Sequence, residues 1–290
     1  MELIGHRGCR GLSPENTIEG FARAAAIGVD AVELDVGLTS DGVVVAVHDP
    51  ALNPSVTRAA SGAWLSAKGP LVRSQSFAAL QAFDVGRIRP KTAYAAAFPD
   101  QVACDGARIP SLAAVLRSFP ALPVTIEIKT FPPHPGWTAT PEALAEAVTA
   151  VLDETIASAR SVIQSFDWRV LRHLRTTRPA LRLGWLTSRA TERFARLWWD
   201  GASAADFGGS VPRAVAAEGG RLWVAEDAEL NPADLTEAHE LGLHVIAWTV
   251  NAPARMRELA DWGVDGLITD RPDLARTVWA PRAAQAEWRL

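Results

Sequence analysis

Apolar and acidic residues alternate strictly in one short segment near the start of the chain. Val32, Leu34 and Val36 are apolar, whereas Glu33 and Asp35 between them are acidic. Successive side chains of a strand point to opposite faces, so the pattern predicts a strand with both carboxylates on one face. Like charges that close repel each other unless a cation lies between them or one is protonated.

The residues that follow predict a hairpin. Residues 39–42 read Thr-Ser-Asp-Gly, which contains a tight-turn signal, and residues 43–47 form a second strand rich in valine. With a turn centred near residues 40 and 41, antiparallel pairing places His48 roughly opposite Glu33. Two carboxylates and an imidazole would then share one local element.

The rest of the pattern predicts alternating strands and helices. The chain opens as strand, loop, helix and strand, which is the βαβ start of a parallel fold, and the same alternation returns after residue 109. The later strands are predicted at Pro123–Lys129, Ser161–Phe166, Arg182–Leu186, Arg221–Ala225, His244–Val250 and Gly263–Asp270. Nine candidate strands result, one more than an eight-stranded barrel holds. Either 221–225 or a piece near Ala204 should therefore lie outside the barrel.

The segment from residue 52 to residue 109 interrupts this alternation. It is rich in Gly, Pro, Ala and Ser, and its periodicity is weak. Such a length is too great for a plain connection and indicates an insertion with structure of its own. Because it directly follows His48 and Asp49, we expect it to cover the site. The whole chain, 1–290, is otherwise predicted to be a single domain.

The composition is that of an ordinary globular protein. Of the 290 residues, 48% are hydrophobic and 21% are charged, which is ordinary for a globular chain, and the net charge of -4 gives no reason to bind nucleic acid. No apolar run reaches the length of a membrane span, and the first strand starts too early to leave room for a signal peptide. We therefore expect a cytoplasmic protein that holds any anionic substrate through local positive groups.

In parallel α/β barrels the chemistry collects at the carboxyl ends of the strands. The polar side chains predicted there are His6, Arg7, Glu33, Asp35, His48, Glu127, Lys129, Gln164, Trp248, Asn251 and Asp270. Glu33, Asp35 and Glu127 form a hard-oxygen set suited to Mg²⁺ or Ca²⁺, whereas zinc is disfavoured by the lack of sulfur ligands. Arg7 and Lys129 suit a phosphoryl oxygen.

Two histidines across such a centre can move protons near neutral pH, one from a nucleophile and one to a leaving group. With a metal and two cations, this set describes phosphodiester cleavage. Acyl transfer and dinucleotide binding are disfavoured, since neither G-x-S-x-G nor G-x-G-x-x-G occurs. Glu15 and Asn16 are interpreted as local caps, and Asp270 is expected to brace the last turn through Arg271.

Several ordered motifs resemble those of the glycerophosphodiester phosphodiesterase family. They are His6-Arg7-Gly8, Pro14-Glu15-Asn16-Thr17, Glu33-Leu34-Asp35-Val36, His48-Asp49, Glu127-Ile128-Lys129, Gln164-Ser165-Phe166, Trp248-Thr249-Val250-Asn251 and Asp265-Gly266-Leu267-Ile268-Thr269-Asp270. The resemblance spans nearly the whole chain. It implies an α/β fold, a TIM (β/α)₈-like barrel with a small subdomain, 52–109, inserted after the third strand.

The resemblance also implies an activity, the hydrolysis of glycerophosphodiesters to an alcohol and sn-glycerol 3-phosphate with one divalent cation, Mg²⁺ or Ca²⁺. It makes His6 and His48 the acid/base pair but leaves their order open, and our own hypothesis takes His6 as base in the first step. Its metal ligands are Glu33, Asp35 and Glu127, its phosphate-binding residues are Arg7 and Lys129, and Trp248 lines the glycerol end. The alternatives are a phospholipase of C or D type and a phosphate-binding barrel without turnover. The expected partner is the small-molecule substrate, and a homodimer is left open.

Overall fold

The computed structural model describes residues 1–278 of the chain. The predicted single domain runs to residue 290, and residues 279–290 lie outside the described part. The strands are β1 Glu2–Gly5, β2 Ala31–Leu38, β3 Val44–Ala46, β4 Val124–Ile128, β5 Ser161–Ser165, β6 Arg182–Thr187, β7 Leu222–Glu226, β8 His244–Trp248 and β9 Gly266–Thr269.

Most of the helices lie between consecutive strands, as the alternation predicts. They are α1 Ile18–Ile27, α2 Phe77–Leu80, α3 Ala93–Ala97, α4 Leu112–Ser118, α5 Pro141–Thr155, α6 Trp168–Thr177, α7 Arg189–Glu192, α8 Ala195–Trp198, α9 Val211–Ala217, α10 Pro232–Glu240, α11 Pro253–Trp262 and α12 Pro272–Val278. Side chains cap many of them: Thr17 accepts a hydrogen bond from Gly20 N at the start of α1. No helix in residues 1–278 is both long enough and apolar enough to cross a membrane.

Eight of the nine strands form a closed parallel barrel. Their order is β1-β9-β8-β7-β6-β5-β4-β2, and β1 also pairs with β2, which closes the ring. The prediction of a TIM-like barrel is confirmed. The surplus strand in the sequence count is the hairpin strand β3, which pairs antiparallel to β2. Residues 221–225 therefore do belong to the barrel, as β7, and Ala204–Phe207 is a 3₁₀ helix.

Two apolar layers flank the barrel wall. Inside it lies a small cluster that includes Ile4, Val162 and Ile246, with Phe166 and Trp248 packed against it. Outside it, a larger cluster joins the strands to the helices and contains Val32, Leu34 and Val36. This alternation directs the odd-numbered acidic side chains of β2 into the barrel.

One edge of β2 pairs with two different strands along its length. Its first residues, Ala31 and Val32, pair with β1, whereas its last residues, from Val36 to Leu38, pair with β3. β4 pairs with residues 32–36 along the other edge of β2. β1 and β3 therefore lie one after the other along the same edge. The residues that follow β1 and those that follow β3 therefore arrive beside the same part of β2.

The hairpin register differs from the prediction by one residue. Thr39 N donates to Val43 O, so the loop has three residues, and Gly42 takes the positive φ of 78° that ends such a loop. Val36 consequently pairs with Ala46. The ladder ends there, and His48 follows as a loop residue instead of lying opposite Glu33.

The segment from residue 52 to residue 109 is built from turns, short helices and isolated bridges, including Ala51 to Leu71 and Arg58 to Asp84. A third apolar cluster contains Leu52, Val72 and Leu80 from this segment together with Val45 of β3. The segment thus packs on the hairpin.

Candidate active site

Three buried carboxylates meet inside the barrel near the carboxyl ends of β2 and β4. One ligand atom from each of Glu33, Asp35 and Glu127 lies within 4.8 Å of the other two. Asp35 pairs directly with Glu127 in the sheet register. The three candidate metal ligands are therefore brought together as the sequence predicts, and their hard oxygen atoms suit Mg²⁺ or Ca²⁺.

The pKa values of the three carboxyl groups are shifted in different directions. Burial and the neighbouring carboxylates Asp35 and Glu127 raise the pKa of Glu33 well above its usual range. Burial likewise raises the pKa of Glu127 to about 7. Asp35 behaves differently: burial acts against ionisation, but Lys129 and Arg7 together hold its pKa well below the ordinary value. Its Oδ1 atom is buried and accepts no hydrogen bond. A divalent cation fits such a donor set.

Arg7 and Lys129 both contact the carboxylates. Arg7 Nε lies 3.2 Å from Asp35 Oδ2, and its backbone N–H donates to Glu33 Oε2 at 3.0 Å. Lys129 Nζ donates to Glu127 Oε1 at 2.6 Å and lies 3.2 Å from Asp35 Oδ1. The two cations contact different oxygen atoms of Asp35, which is therefore the centre of the charged cluster.

His6 follows β1, and its ring is held by the carboxylate of Asp270. Its Nδ1 lies 2.8 Å from Asp270 Oδ1, and its Nε2 lies 3.9 Å from Glu33 Oε2. Burial lowers the pKa of His6 to about 4, against the opposing effect of Asp270. The ring is therefore neutral at pH 7, with Nδ1 as the donor to Asp270 and Nε2 as the free acceptor.

The prediction that Asp270 braces the last turn through Arg271 is wrong. The Asp270 carboxylate accepts hydrogen bonds from Arg10 and from Asn251 Nδ2 as well as from His6. Arg271 instead pairs with Asp273. The reason is barrel closure: Thr269 at the end of β9 lies beside Gly5 at the end of β1.

His48 is the more open of the two histidines. Its side chain is 31% exposed, against 10% for His6, and its Nδ1 lies 2.7 Å from Asp49 Oδ1. Burial lowers its pKa, and the charges of Lys129 and Arg7 lower it further. His48 and Lys129 line the same small cavity. Each histidine therefore has a carboxylate on Nδ1, a role for Asp49 and Asp270 that sequence reasoning missed.

The loop after β1 contributes two further residues. Asn16, predicted as a local cap, has φ 53° and donates from Nδ2 to Asp35 Oδ2 at 2.9 Å. Glu15 accepts from Arg7 Nη1 at 2.8 Å. Both were interpreted as local, and both in fact contact residues of the charged centre. The only signal in the sequence was their place in the Pro14-Glu15-Asn16-Thr17 motif.

The segment 52–109 supports this loop from outside. Tyr94 donates from its hydroxyl to Glu15, and the ring of Phe98 lies 4.6 Å from the guanidinium of Arg10. A small cavity of about 40 Å³ lies between this segment and the residues around His48. The segment therefore borders the histidine side of the site.

Aromatic side chains form the other wall. Trp248 and Phe166 lie edge to face with centroids 5.3 Å apart, and Phe166 also lies 5.8 Å from Lys129 Nζ. Trp248 donates from Nε1 to Val224 O at 3.2 Å, which fixes its ring. Trp248, predicted to line the site, lies on its apolar side.

The chain is similar to known proteins over most of its length. The model of the glycerophosphoryl diester phosphodiesterase family matches residues 6–274. The YhdW protein of Bacillus subtilis (strain 168) is 30% identical over 274 residues, which cover 94% of this chain and 96% of that protein. A protein of Caldanaerobacter subterraneus named glycerophosphodiester phosphodiesterase is 28% identical over 281 residues, covering 93% of this chain and 94% of its own.

A solved structure from Silicibacter pomeroyi DSS-3 has a TM-score of 0.87 and 35% sequence identity to this chain, and covers 96% of this chain and 92% of its own. An Oleispira antarctica phosphodiesterase, solved in complex with its product sn-glycerol-3-phosphate, has a TM-score of 0.73 at 20% identity, covering 96% of each chain. The second likeness concerns the fold alone.

Proposed function

Because the chain belongs to the glycerophosphoryl diester phosphodiesterase family and is therefore a phosphodiesterase, we propose that it hydrolyses glycerophosphodiesters to an alcohol and sn-glycerol 3-phosphate with the help of one divalent cation, Mg²⁺ or Ca²⁺. The observation that carries the proposal is the meeting of Glu33, Asp35 and Glu127 within 4.8 Å of one another, with His6 Nε2 at 3.9 Å from Glu33 Oε2.

In this proposal the three carboxylates hold the cation, and Arg7 and Lys129 hold the phosphoryl oxygens. A bound Mg²⁺ or Ca²⁺ would act as a Lewis acid for the glycerol hydroxyl and the phosphoryl group. Arg7 and Lys129 contact Asp35 at 3.2 Å each, so an entering phosphate would exchange carboxylate partners for phosphoryl oxygens on the same donors.

His6 is the proposed base. Its Nδ1–H is directed to Asp270, which leaves the Nε2 lone pair for a proton from the substrate. The glycerol 2-hydroxyl would lose that proton as its oxygen attacks phosphorus, and the bond from phosphorus to the alcohol oxygen would break. Water would then open the resulting cyclic phosphate to sn-glycerol 3-phosphate.

His48 is the proposed acid that protonates the leaving alcohol. Burial, Lys129 and Arg7 disfavour its protonation in the free site, but the negative charge of a bound phosphodiester acts in the opposite direction. Its greater exposure places it toward the mouth, where an alcohol can leave. We further propose that 52–109 is an inserted subdomain that bounds this side, and that Trp248 lines the glycerol side.

The direct test is turnover of glycerophosphocholine by purified protein, followed as glycerol 3-phosphate release after EDTA treatment and after addition of Mg²⁺ or Ca²⁺. We expect activity only with added metal. Glu127→Gln should abolish it, whereas the control Glu258→Gln, an exposed carboxylate that pairs with Arg255, should not. Full activity after exhaustive chelation, or full activity of Glu127→Gln, would contradict the proposal.

A further inference from the structure

One arginine of segment 52–109 borders the cavity between His48 and Lys129. Arg73 lines this cavity together with both of those residues, and Trp137, from the loop after β4, lines it as well. Arg73 is exposed at the protein surface, in a short 3₁₀ helix. Segment 52–109 therefore brings a guanidinium group to the same cavity as the proposed acid and a proposed phosphate-binding residue.

Backbone oxygen atoms hold Arg73 in place, and no carboxylate does. Its Nη1 donates to Gly136 O and to Thr138 O, at 2.9 Å each. Within residues 1–278, no acidic side chain forms an ion pair with Arg73. The positive charge is therefore not neutralised by a neighbour, and the other N–H groups of the guanidinium fork can donate to an external acceptor.

A second cation lies on the ring of Trp137. Lys68 Nζ lies 5.7 Å from the centre of that ring, and the His134 ring stacks on it with centroids 3.9 Å apart. Trp137 is 36% exposed, so this group forms the outer rim of the cavity. A quaternary ammonium group placed on the ring would meet the Lys68 ammonium, and the two like charges would repel each other. The rim therefore favours a negative group over a positive one.

The Asp49 carboxylate in the same cavity is already engaged. One of its oxygen atoms lies 2.7 Å from His48 Nδ1, and the other accepts from Asn53 Nδ2 at 2.7 Å. In the described part of the chain, neither oxygen forms an ion pair with Arg73. A ligand that enters from the rim therefore meets two cations, Arg73 and Lys68, and one carboxylate whose oxygen atoms already have partners.

We propose that Arg73 determines head-group specificity by binding an anionic group on the leaving alcohol, a carboxylate or a phosphate, through its guanidinium fork. This inference rests on the proposed function, in which Lys129 holds the phosphoryl group and His48 protonates the alcohol that leaves. The head group then departs past the cavity that both residues line. The cavity measures only about 10 Å³, room for about one water molecule, so the head group lies across the rim beside Arg73 and Lys68.

The test uses two matched pairs of diesters, with initial rates of diester consumption measured at saturating Mg²⁺. Glycerophosphoserine differs from glycerophosphoethanolamine by one carboxylate, and glycerophosphoglycerol phosphate differs from glycerophosphoglycerol by one phosphate. In at least one pair, we expect kcat/KM to be roughly tenfold higher for the member with the added anionic group. This ratio should fall as the ionic strength rises from about 0.05 M to about 0.5 M, because salt screens charges at an exposed rim.

Arg73→Gln should bring this ratio to within about twofold of unity. A displaced loop at residues 136–138 would lower kcat/KM for both members of a pair alike, so the ratio separates head-group binding from a structural effect. Lys68→Gln gives a second test, because Lys68 holds no backbone atom in residues 1–278, and it should lower the ratio by about twofold. Arg89→Gln is the matched control: Arg89 donates to Leu65 O within the same segment but does not line the cavity, so the ratio should not change.

Two results would overturn the inference while the proposed function stands. One is equal kcat/KM, or a preference for the member without the added anion, in both pairs. The other is a preference for the anionic member that Arg73→Gln and Lys68→Gln both retain in full. A preference in one pair alone, lost in Arg73→Gln, supports the inference and identifies the bound group as carboxylate or phosphate. Absence of turnover with all four diesters would instead refute the proposed function itself.

Discussion

Asp270→Asn tests whether the buried carboxylate behind His6 fixes the proposed base. Asp270 is 2% exposed, and its two oxygens accept from four donor atoms: His6 Nδ1, Arg10 Nε, Arg10 Nη2 and Asn251 Nδ2. An asparagine offers one oxygen and one NH₂ group. Oδ1 accepts from His6 Nδ1 and Arg10 Nε, and Oδ2 accepts from Arg10 Nη2 and Asn251 Nδ2, so the NH₂ group faces two donors in either orientation and Arg10 always loses one acceptor.

The size of the effect follows from these contacts. In either orientation His6 loses the negative charge beside Nδ1, so the Nδ1–H tautomer is no longer enforced and Nε2 is no longer held as the acceptor. General base catalysis contributes about 10²–10⁴ to the rate, so kcat should fall by roughly 10²-fold or more, while KM changes little. The unpaired Arg10, which is 14% exposed, should also lower the free energy of unfolding, by about 3 kcal/mol at most.

The assay is kcat and KM for glycerophosphocholine, with urea unfolding of the same preparations. Asp265→Asn is the matched control, because Asp265 contacts His239 Nε2 at 3.0 Å but lies just before β9, at the opposite end of the barrel. It should change kcat by less than about twofold. The reasoning is refuted if folded Asp270→Asn keeps more than a third of the parent kcat, or if its loss lies wholly in KM.

Three further predictions address the metal, the second histidine and a carboxyl group outside the site. Saturating Mg²⁺ or Ca²⁺ should raise the melting temperature by roughly 5 °C, because the ion binds only the folded cluster, and Glu127→Gln should lose this shift in a thermal scan; an equal shift in both proteins would argue against the cluster. His48→Ala should lower kcat by about 10²–10⁴ with little change in KM for glycerophosphocholine, and retention of a tenth of the rate would count against its role. Burial and the carboxylates of Glu192 and Glu226 raise the pKa of Glu229 to about 8 from its ordinary 4.5, so the folded chain keeps a proton that the unfolded chain releases, and stability falls as pH rises between these values. Glu229→Gln should make urea midpoints between pH 5 and pH 8 less dependent on pH, and an unchanged slope would contradict the shift.

Local periodicity predicted most of the barrel because each strand and helix carries its own signal. The alternation of Val32 to Val36 predicted which side chains enter the barrel, and the structure confirms it. The predicted register of the hairpin was wrong by one residue because a turn signal does not distinguish a two-residue loop from a three-residue loop. Segment 52–109 gave no usable signal, since its short helices and isolated bridges leave no period to detect.

The missed site residues share one physical cause. Asp270 was assigned to its neighbour in sequence, Arg271, but barrel closure brings it to His6, which is 264 positions away. Asn16 was assigned to a helix start, but a positive φ turns its amide to Asp35. Contacts of this kind depend on how the ends of distant strands meet, and no local pattern encodes that meeting.

The packing of Val45 has a consequence for engineering. Val45 lies on β3, belongs to the same small cluster as Leu52 and Val72, and forms an isolated bridge with Ser111, while Ala46 N donates to Pro110 O. β3, the strand that precedes His48, therefore contacts residues near both ends of segment 52–109. An exchange of segment 52–109 for that of a relative should therefore move residues 43–111 together, because a cut between His48 and residue 52 would separate Val45 from the side chains on which it packs.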